Sequence, residues 1–212
     1  REAVAGGLSV AAFTAAVASS TPAPGGGSVA AHAGALGAAL AQMVAGLTVG
    51  RKKYVSVDAE MKALGLRAAA LVNELQSLVD RDAKAYEAVT TAYKLPRDTD
   101  DHAARRLAAI DDSLVYAAQV PLETARACAA VAELAATAAE KGNTNAASDA
   151  GVAALLAEAA CRGAAYNVRI NVASMSDQSR GSALASEAAA LVDTASRHAV
   201  AATEVVEKHI SG

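Results

Sequence analysis

The chain contains no tryptophan and a single phenylalanine, and only 3% of its 212 residues are aromatic, although 53% are hydrophobic. A sheet core leans on β-branched and aromatic side chains, so this composition argues against one. The apolar content is Ala, Val and Leu, which pack helices closely. Positive charge is in short supply as well: 19 Lys and Arg against 22 Asp and Glu leave a net charge of −3. That balance offers no electrostatic footprint for nucleic acid or an anionic membrane surface, and it points to a small partner. The two cysteines, Cys128 and Cys161, form no CxxC pair and have no His at ligand spacing, so they read as buried reduced thiols, and no metal site is expected. No charged-then-apolar leader opens the chain, and its longest apolar stretch, Ala30 to Val49, is broken by His32, Gln42 and several glycines. The expectation is a soluble, cytoplasmic protein of one domain over residues 1–212.

What is present is helical periodicity. A short helix is predicted over Ser9–Ala18 and a second, apolar nearly all round, over about Ser28–Thr48. A helix without a polar face must be surrounded, so Ala30–Leu47 is expected either at the centre of the bundle or in a subunit interface. From about Val55 to Tyr93, Leu64, Leu71, Leu75 and Leu78 mark one face, with Glu60, Lys62, Arg67 and Glu74 elsewhere. Thr99 or Asp100 caps the next helix, which runs to about Ala118. Pro121 sits within helical pattern from about Leu107 to Glu140, where it is expected to kink a helix or open a new one. Further helices are predicted over about Ala146–Val172 and Gly181–Ile210. Short loops make neighbours antiparallel, so the predicted fold is all-α, an up-and-down antiparallel bundle with a buried Ala-rich central helix.

Chemistry concentrates at Thr21-Pro22-Ala23-Pro24-Gly25-Gly26-Gly27-Ser28. Two prolines fix the approach, the glycines open backbone conformations closed to other residues, and Ser28 is placed to cap the helix. Free N–H groups there suit a carboxylate, a phosphate or a polarised carbonyl; an ordinary glycine-rich helix entry is the other reading. Asp80 and Asp82 stand about 200° apart around their helix. Leu71, Leu75, Leu78 and Asp82 follow spacings of four, three and four, so Asp82 falls on the buried face and Asp80 faces out, where Arg81 or Lys84 can pair with it. A desolvated carboxylate has a raised pKa, which makes Asp82 either a general acid or base or a carboxylate bonded to a neighbouring helix end. Asn167 and Asn171, one turn apart, form an amide strip that joins helices or recognises a planar polar ring. Gly142-Asn143-Thr144-Asn145 and Ser148-Asp149 surround another helix start. Arg51-Lys52-Lys53 reads as a solvated cationic cap, or, if it lies near the glycine loop, as a holder for an acidic ligand tail. Of the scattered histidines only His32, one turn into the glycine-loop helix, invites attention.

Taken in order, Pro22-Ala23-Pro24-Gly25-Gly26-Gly27-Ser28, Gly50-Arg51-Lys52-Lys53-Tyr54, Asp80-Arg81-Asp82-Ala83, Leu95-Pro96, Val120-Pro121-Leu122, Gly142-Asn143 with Ser148-Asp149, and Asn167 with Asn171 resemble the cyclodeaminase/cyclohydrolase family over about residues 9 to 177. The resemblance implies an all-helical homodimer with a folate site near the subunit contact, tetrahydrofolate as one-carbon carrier, and no other cofactor. It implies that Asp82 carries the proton, that Pro24, Gly25, Gly26, Gly27 and Ser28 line the pocket, and that Asn143, Asp149, Asn167 and Asn171 are pocket-side candidates; Lys52 and Lys53 are substrate-binding candidates through the acidic-tail reading of the cationic run. His32 departs from the small or apolar residue the pattern leads one to expect. The implied activity is hydrolysis of 5,10-methenyltetrahydrofolate, preferred because the chain has no room for a transferase domain. The same-fold alternative is formiminotetrahydrofolate cyclodeaminase, and a reading of another class is a non-enzymatic folate-binding or scaffold dimer.

Overall fold

A computed structural model describes residues 9–211. Among them are six α-helices and no strand: α1 (Val10–Val17), α2 (Gly26–Thr48), α3 (Asp58–Tyr93), α4 (Asp100–Lys141), α5 (Ala147–Ala173) and α6 (Ser182–Ser211). Local chemistry sets several boundaries. Ser9 caps α1 by accepting from the Ala12 N–H at 3.2 Å, and Thr99 caps α4 by accepting from the His102 N–H at 3.2 Å. Gly50, at φ 77°, turns the chain out of α2 into a 3₁₀ segment over Lys52–Val57 that leads into α3.

Cross-helix pairs fix the topology. Glu60 bonds Lys141, Arg67 pairs with Glu133 and Arg81 with Glu123, so α3 and α4 run antiparallel. Gly26 approaches Asn167, Gly163 approaches Ala30 and Gly37 abuts Ala153, so α2 and α5 do too. This is the expected up-and-down bundle. The helix with the most neighbours is α4, which packs against α2, α3, α5 and α6 while Gln119, Arg126, Glu133 and Glu140 face outward. The expected central helix, α2, is instead buried on one side, through Ala31, Ala35, Ala38, Ala41 and Val44, while Val29, Leu36, Met43 and Leu47 stay exposed. By length and composition α2 could cross a bilayer, yet half of it is packed inside this bundle.

Small residues let these helices approach closely. A Cβ on Gly37 would lie 2.9 Å from the Ala153 carbonyl oxygen, backbone that cannot swing aside. Gly37→Ala is therefore expected to force α2 and α5 apart and to lower stability by about 1–3 kcal/mol, read from the denaturant midpoint. Cys128 and Cys161 are buried and free, as expected. Burial pushes the Cys161 thiol up to about 12 and that of Cys128 further still, so neither is a nucleophile.

Pro121 neither ends nor divides α4, which continues through it. The missing Pro121 N–H would have bonded the Ala117 carbonyl one turn back. That oxygen instead accepts from Asn171 Nδ2 of α5 at 2.7 Å. A partner 54 residues away in the chain thus keeps the helix intact where local sequence signals a break.

Candidate functional site

At the N-terminal end of α2 the glycine loop, the second half of α3 and the last turns of α5 enclose a cleft of about 340 Å³, within the range of small-molecule sites. Gly25, Gly26, Gly27, Asp82, Asn167 and Asn171 all line it. So do Pro22 and Ala23, rather than the predicted Pro24, which follows a cis peptide bond within the same loop. The expectation for Ser28 as a cap is corrected: α2 begins at Gly26 with Gly25 as its N-cap, and Ser28 is fully buried in the first turn. Its hydroxyl lies 2.9 Å from Asp82 Oδ2 and 3.2 Å from the Val79 carbonyl oxygen.

Those two acceptors for one hydroxyl proton suit a carboxyl that changes state. When Asp82 is an anion, the Ser28 O–H donates to it. When Asp82 holds a proton, the Ser28 O–H can turn to Val79 and leave its own oxygen as an acceptor. Burial raises the Asp82 pKa above its ordinary 3.8, against the opposing effect of the Ser28 hydroxyl and N–H. Asp82 therefore faces the cleft as a partly desolvated acid, while Asp80 is exposed as expected. Arg81 does not pair with Asp80. It grips Glu123 of α4 in a two-bond fork of 2.6 and 2.8 Å, which pins the α3 turn that carries Asp82.

Both predicted asparagines reach the cleft, and each Nδ2 is engaged. Asn167 donates to Gly163 O at 2.9 Å and Asn171 to Ala117 O. Among the described residues neither Oδ1 takes a protein hydrogen bond, so both are available to a ring N–H. Asn171 thus joins helices and lines the site at once. Asn171→Ala should lower stability by about 1–3 kcal/mol by orphaning the Ala117 carbonyl. In a Pro121→Ala background that loss should shrink, because residue 121 regains its own donor; a double-mutant cycle on denaturant midpoints checks this.

Sequence reading missed the apolar walls. Tyr86, Val89 and Tyr93 line the cleft from α3, Leu114 from α4 and Ile170 from α5. Continuing the helical spacing past Asp82 through 86, 89 and 93 would have found three of them.

The remaining predicted residues lie elsewhere. Lys52, Lys53 and Asn143 line a second hollow of about 370 Å³ with Arg51, Tyr54 and Thr144. That hollow is at the far end of α2, whose 23 residues span about 34 Å. Within one subunit, then, the cationic run is not near the glycine loop, because a straight helix separates them. Its cap role holds: Arg51 Nε donates to Leu47 O at 2.7 Å. Asn143 is occupied structurally, donating to Leu47 O at 3.0 Å and accepting from the Asn145 N–H at 3.1 Å. Asp149 lies in the first turn of α5 and lines neither hollow. Hydrogen bonds with Thr144, and the Lys53 ammonium nearby, bring the Tyr54 phenol down to about 8. His32 packs against Phe13 of α1, ring centres 4.9 Å apart and planes tilted by 49°, away from the cleft lining. Among the described residues no three His, Cys, Asp or Glu side chains gather as metal ligands would.

Residues 9–190 match the family model described as formiminotransferase-cyclodeaminase. The chain is 40% identical to a methenyltetrahydrofolate cyclohydrolase of Methylorubrum extorquens over 175 residues, 82% of this chain and 84% of that protein. It is also 40% identical to a formimidoyltransferase-cyclodeaminase of Rattus norvegicus over 169 residues, 80% of this chain but only 31% of that longer protein. A crystal structure of a formiminotetrahydrofolate cyclodeaminase from Thermotoga maritima superposes with a TM-score of 0.86 at 30% identity, covering 96% of this chain and 98% of that one.

Proposed function

Since the chain belongs to the formiminotransferase-cyclodeaminase family, we propose that it is a folate one-carbon enzyme that hydrolyses 5,10-methenyltetrahydrofolate to 10-formyltetrahydrofolate. The observation that carries this reading is the Asp82 carboxyl at the cleft, raised in pKa and held by a serine that serves both of its protonation states. The cyclohydrolase of M. extorquens, most of whose length the chain spans, supports hydrolysis as the direction.

The substrate is a delocalised cation, and a partly buried anion beside it stabilises the bound ring. Water adds to the one-carbon centre and gives a proton to Asp82, forming a neutral carbinolamine. Asp82 then returns that proton to N5 as the bond from carbon to N5 breaks. The carbinol hydroxyl loses its proton as the formyl C=O forms, so one proton is released overall. The free N–H groups of Gly26 and Gly27 at the start of α2 suit the oxygen that builds up charge in this step. The walls of Tyr86, Tyr93 and Ile170 hold the ring and limit bulk water. In this reading tetrahydrofolate is the only carrier needed and the enzyme is a cytoplasmic homodimer. Loss of the methenyl chromophore above the buffer rate tests the proposal; no acceleration by the wild-type protein refutes it.

A second reading is specifically favoured by the T. maritima structure, which matches nearly end to end. In formiminotetrahydrofolate cyclodeamination N10 attacks the formimino carbon, its proton passes to the imino nitrogen, and Asp82 supplies the further proton with which ammonia departs as the methenyl cation forms. Ammonia release from 5-formiminotetrahydrofolate without faster methenyl hydrolysis would select it.

A further inference from the structure

Tyr93 is the last residue of α3 and lines the cleft about 16 Å along that helix from Asp82. A side chain at such a position is ordinarily loose, because the final turn of a helix leaves its carbonyls without N–H partners and frays. Arg106 of α4 supplies what is missing. Its Nε and Nη2 donate to the Tyr93 carbonyl oxygen at 3.3 and 3.1 Å, and its guanidinium carbon lies over the Tyr93 ring, 5.5 Å from the ring centre. A cation at a helix C-terminus also complements the dipole there. Arg106 is half-buried, and among the described residues its guanidinium bonds no carboxylate. Tyr93 lines the cleft and Arg106 does not, so the guanidinium backs the ring from outside. The ring itself stays open to the cleft, with Tyr93 47% exposed.

The cleft is thereby polar along its length. Asp82 puts an anion at one end, and a cation stands behind the aromatic wall at the other. A ring whose π electrons already face a guanidinium is a poor host for a second cation and a good one for a neutral flat group. The delocalised one-carbon cation is therefore directed to Asp82, and the Tyr93 end takes a neutral ring. Helices α3 and α5 both run antiparallel to α4, so Asn171 lies one turn beyond Asn167 towards Tyr93. Its open Oδ1 suits a ring that carries N–H groups, which the pterin half of the substrate has and the benzoyl ring lacks. We infer that Arg106 is a positioning residue: it sets Tyr93 as the end wall against which the pterin rests, and so fixes which way round the ligand lies. The clamp follows from the contacts alone; the pterin rests on the folate reading above.

Two substitutions separate this role from that of a helix cap. Tyr93→Leu removes the ring but keeps the backbone carbonyl that Arg106 bonds, so a capping role survives it and a role through the ring does not. Arg106→Gln should raise KM for the methenyl substrate about five- to tenfold with little change in kcat, since the wall binds the ring alike in ground and transition states. Arg106→Lys keeps the cation and should recover part of that loss. In a Tyr93→Leu background, itself raised in KM, Arg106→Gln should add less than about twofold. A KM loss of full size in that background makes Arg106 a cap only and overturns the inference, as does a loss that falls on kcat. The substrate without its glutamate, 5,10-methenyltetrahydropteroate, should show the same KM ratio between wild type and Arg106→Gln. A ratio that disappears would mean that Arg106 binds a ligand carboxylate, which overturns the pterin assignment. The clamp is also read without any folate. In protein labelled with 3-fluorotyrosine, the fluorine NMR resonance that Tyr93→Phe deletes should shift in Arg106→Gln. An unmoved resonance refutes the clamp. A shifted one, in a wild-type protein that accelerates no methenyl hydrolysis, refutes the folate reading and the pterin assignment with it, and upholds the clamp.

Discussion

Replacing Asp82 by Asn should lower turnover of the methenyl substrate by about 10²- to 10⁴-fold, the usual worth of a positioned general acid or base. The fold should not suffer. Burial raises the Asp82 pKa above 3.8, so the folded chain keeps this proton to a higher pH than the unfolded chain does. Stability linked to Asp82 is therefore fully present below the unfolded pKa and is lost as pH rises through the folded one. Asn never ionises and escapes that loss, while its Oδ1 can still accept from Ser28. Thermal unfolding of the variant should match wild type at pH 3.5 and equal or exceed it at pH 7.5. The two scans separate a residue kept for chemistry from one kept for packing: a variant that melts well below wild type at pH 7.5 and keeps its activity would make Asp82 structural. The wild-type kcat/KM profile should fall on the acid side at a pH above 3.8, as the proton acceptor of the free enzyme is lost, and that limb should vanish in Asp82→Asn.

Gly27→Ala should be nearly as damaging without touching an ionisable group. A Cβ at residue 27 would overlap the Asp82 carboxyl, lying 2.6 Å from its Cγ and 2.7 Å from Oδ2. No other glycine of the loop meets Asp82 in this way. The carboxyl must turn away from Ser28, and the proton carrier leaves its place; a kcat loss of about 10²-fold or more is expected. Because both substitutions remove the same positioned group, the Gly27→Ala/Asp82→Asn double variant should be hardly slower than Asp82→Asn alone. Losses that multiply would mean that Gly27 acts on the substrate independently of Asp82. The third glycine of the loop is thus needed for space beside a carboxylate rather than for backbone freedom.

Much of this was legible in the residues. The scarcity of aromatic side chains, the leucine spacing of α3 and the capping residues Ser9 and Thr99 determined an all-helical chain and most of its helix ends. Periodicity also settled that Asp82 points inward and Asp80 outward, because 3.6 residues per turn fix a side chain's direction about its own axis. It could not say what a side chain meets. Ser28 looked like a cap, since Ser at a helix start usually is one, but the turn of α3 that carries Asp82 packs over it and takes the hydroxyl. Pro121 looked like a break until Asn171, from another helix, supplied the missing donor. Lys52 and Lys53 belong to the same ordered set of motifs as the glycine loop, yet α2 holds the two segments about 34 Å apart, since a helix fixes the distance between its ends. Sequence by itself determined the elements and their faces, which are local properties of the backbone and the side-chain pattern. Tertiary structure alone decided the neighbours, because which surfaces meet depends on how distant helices pack against one another.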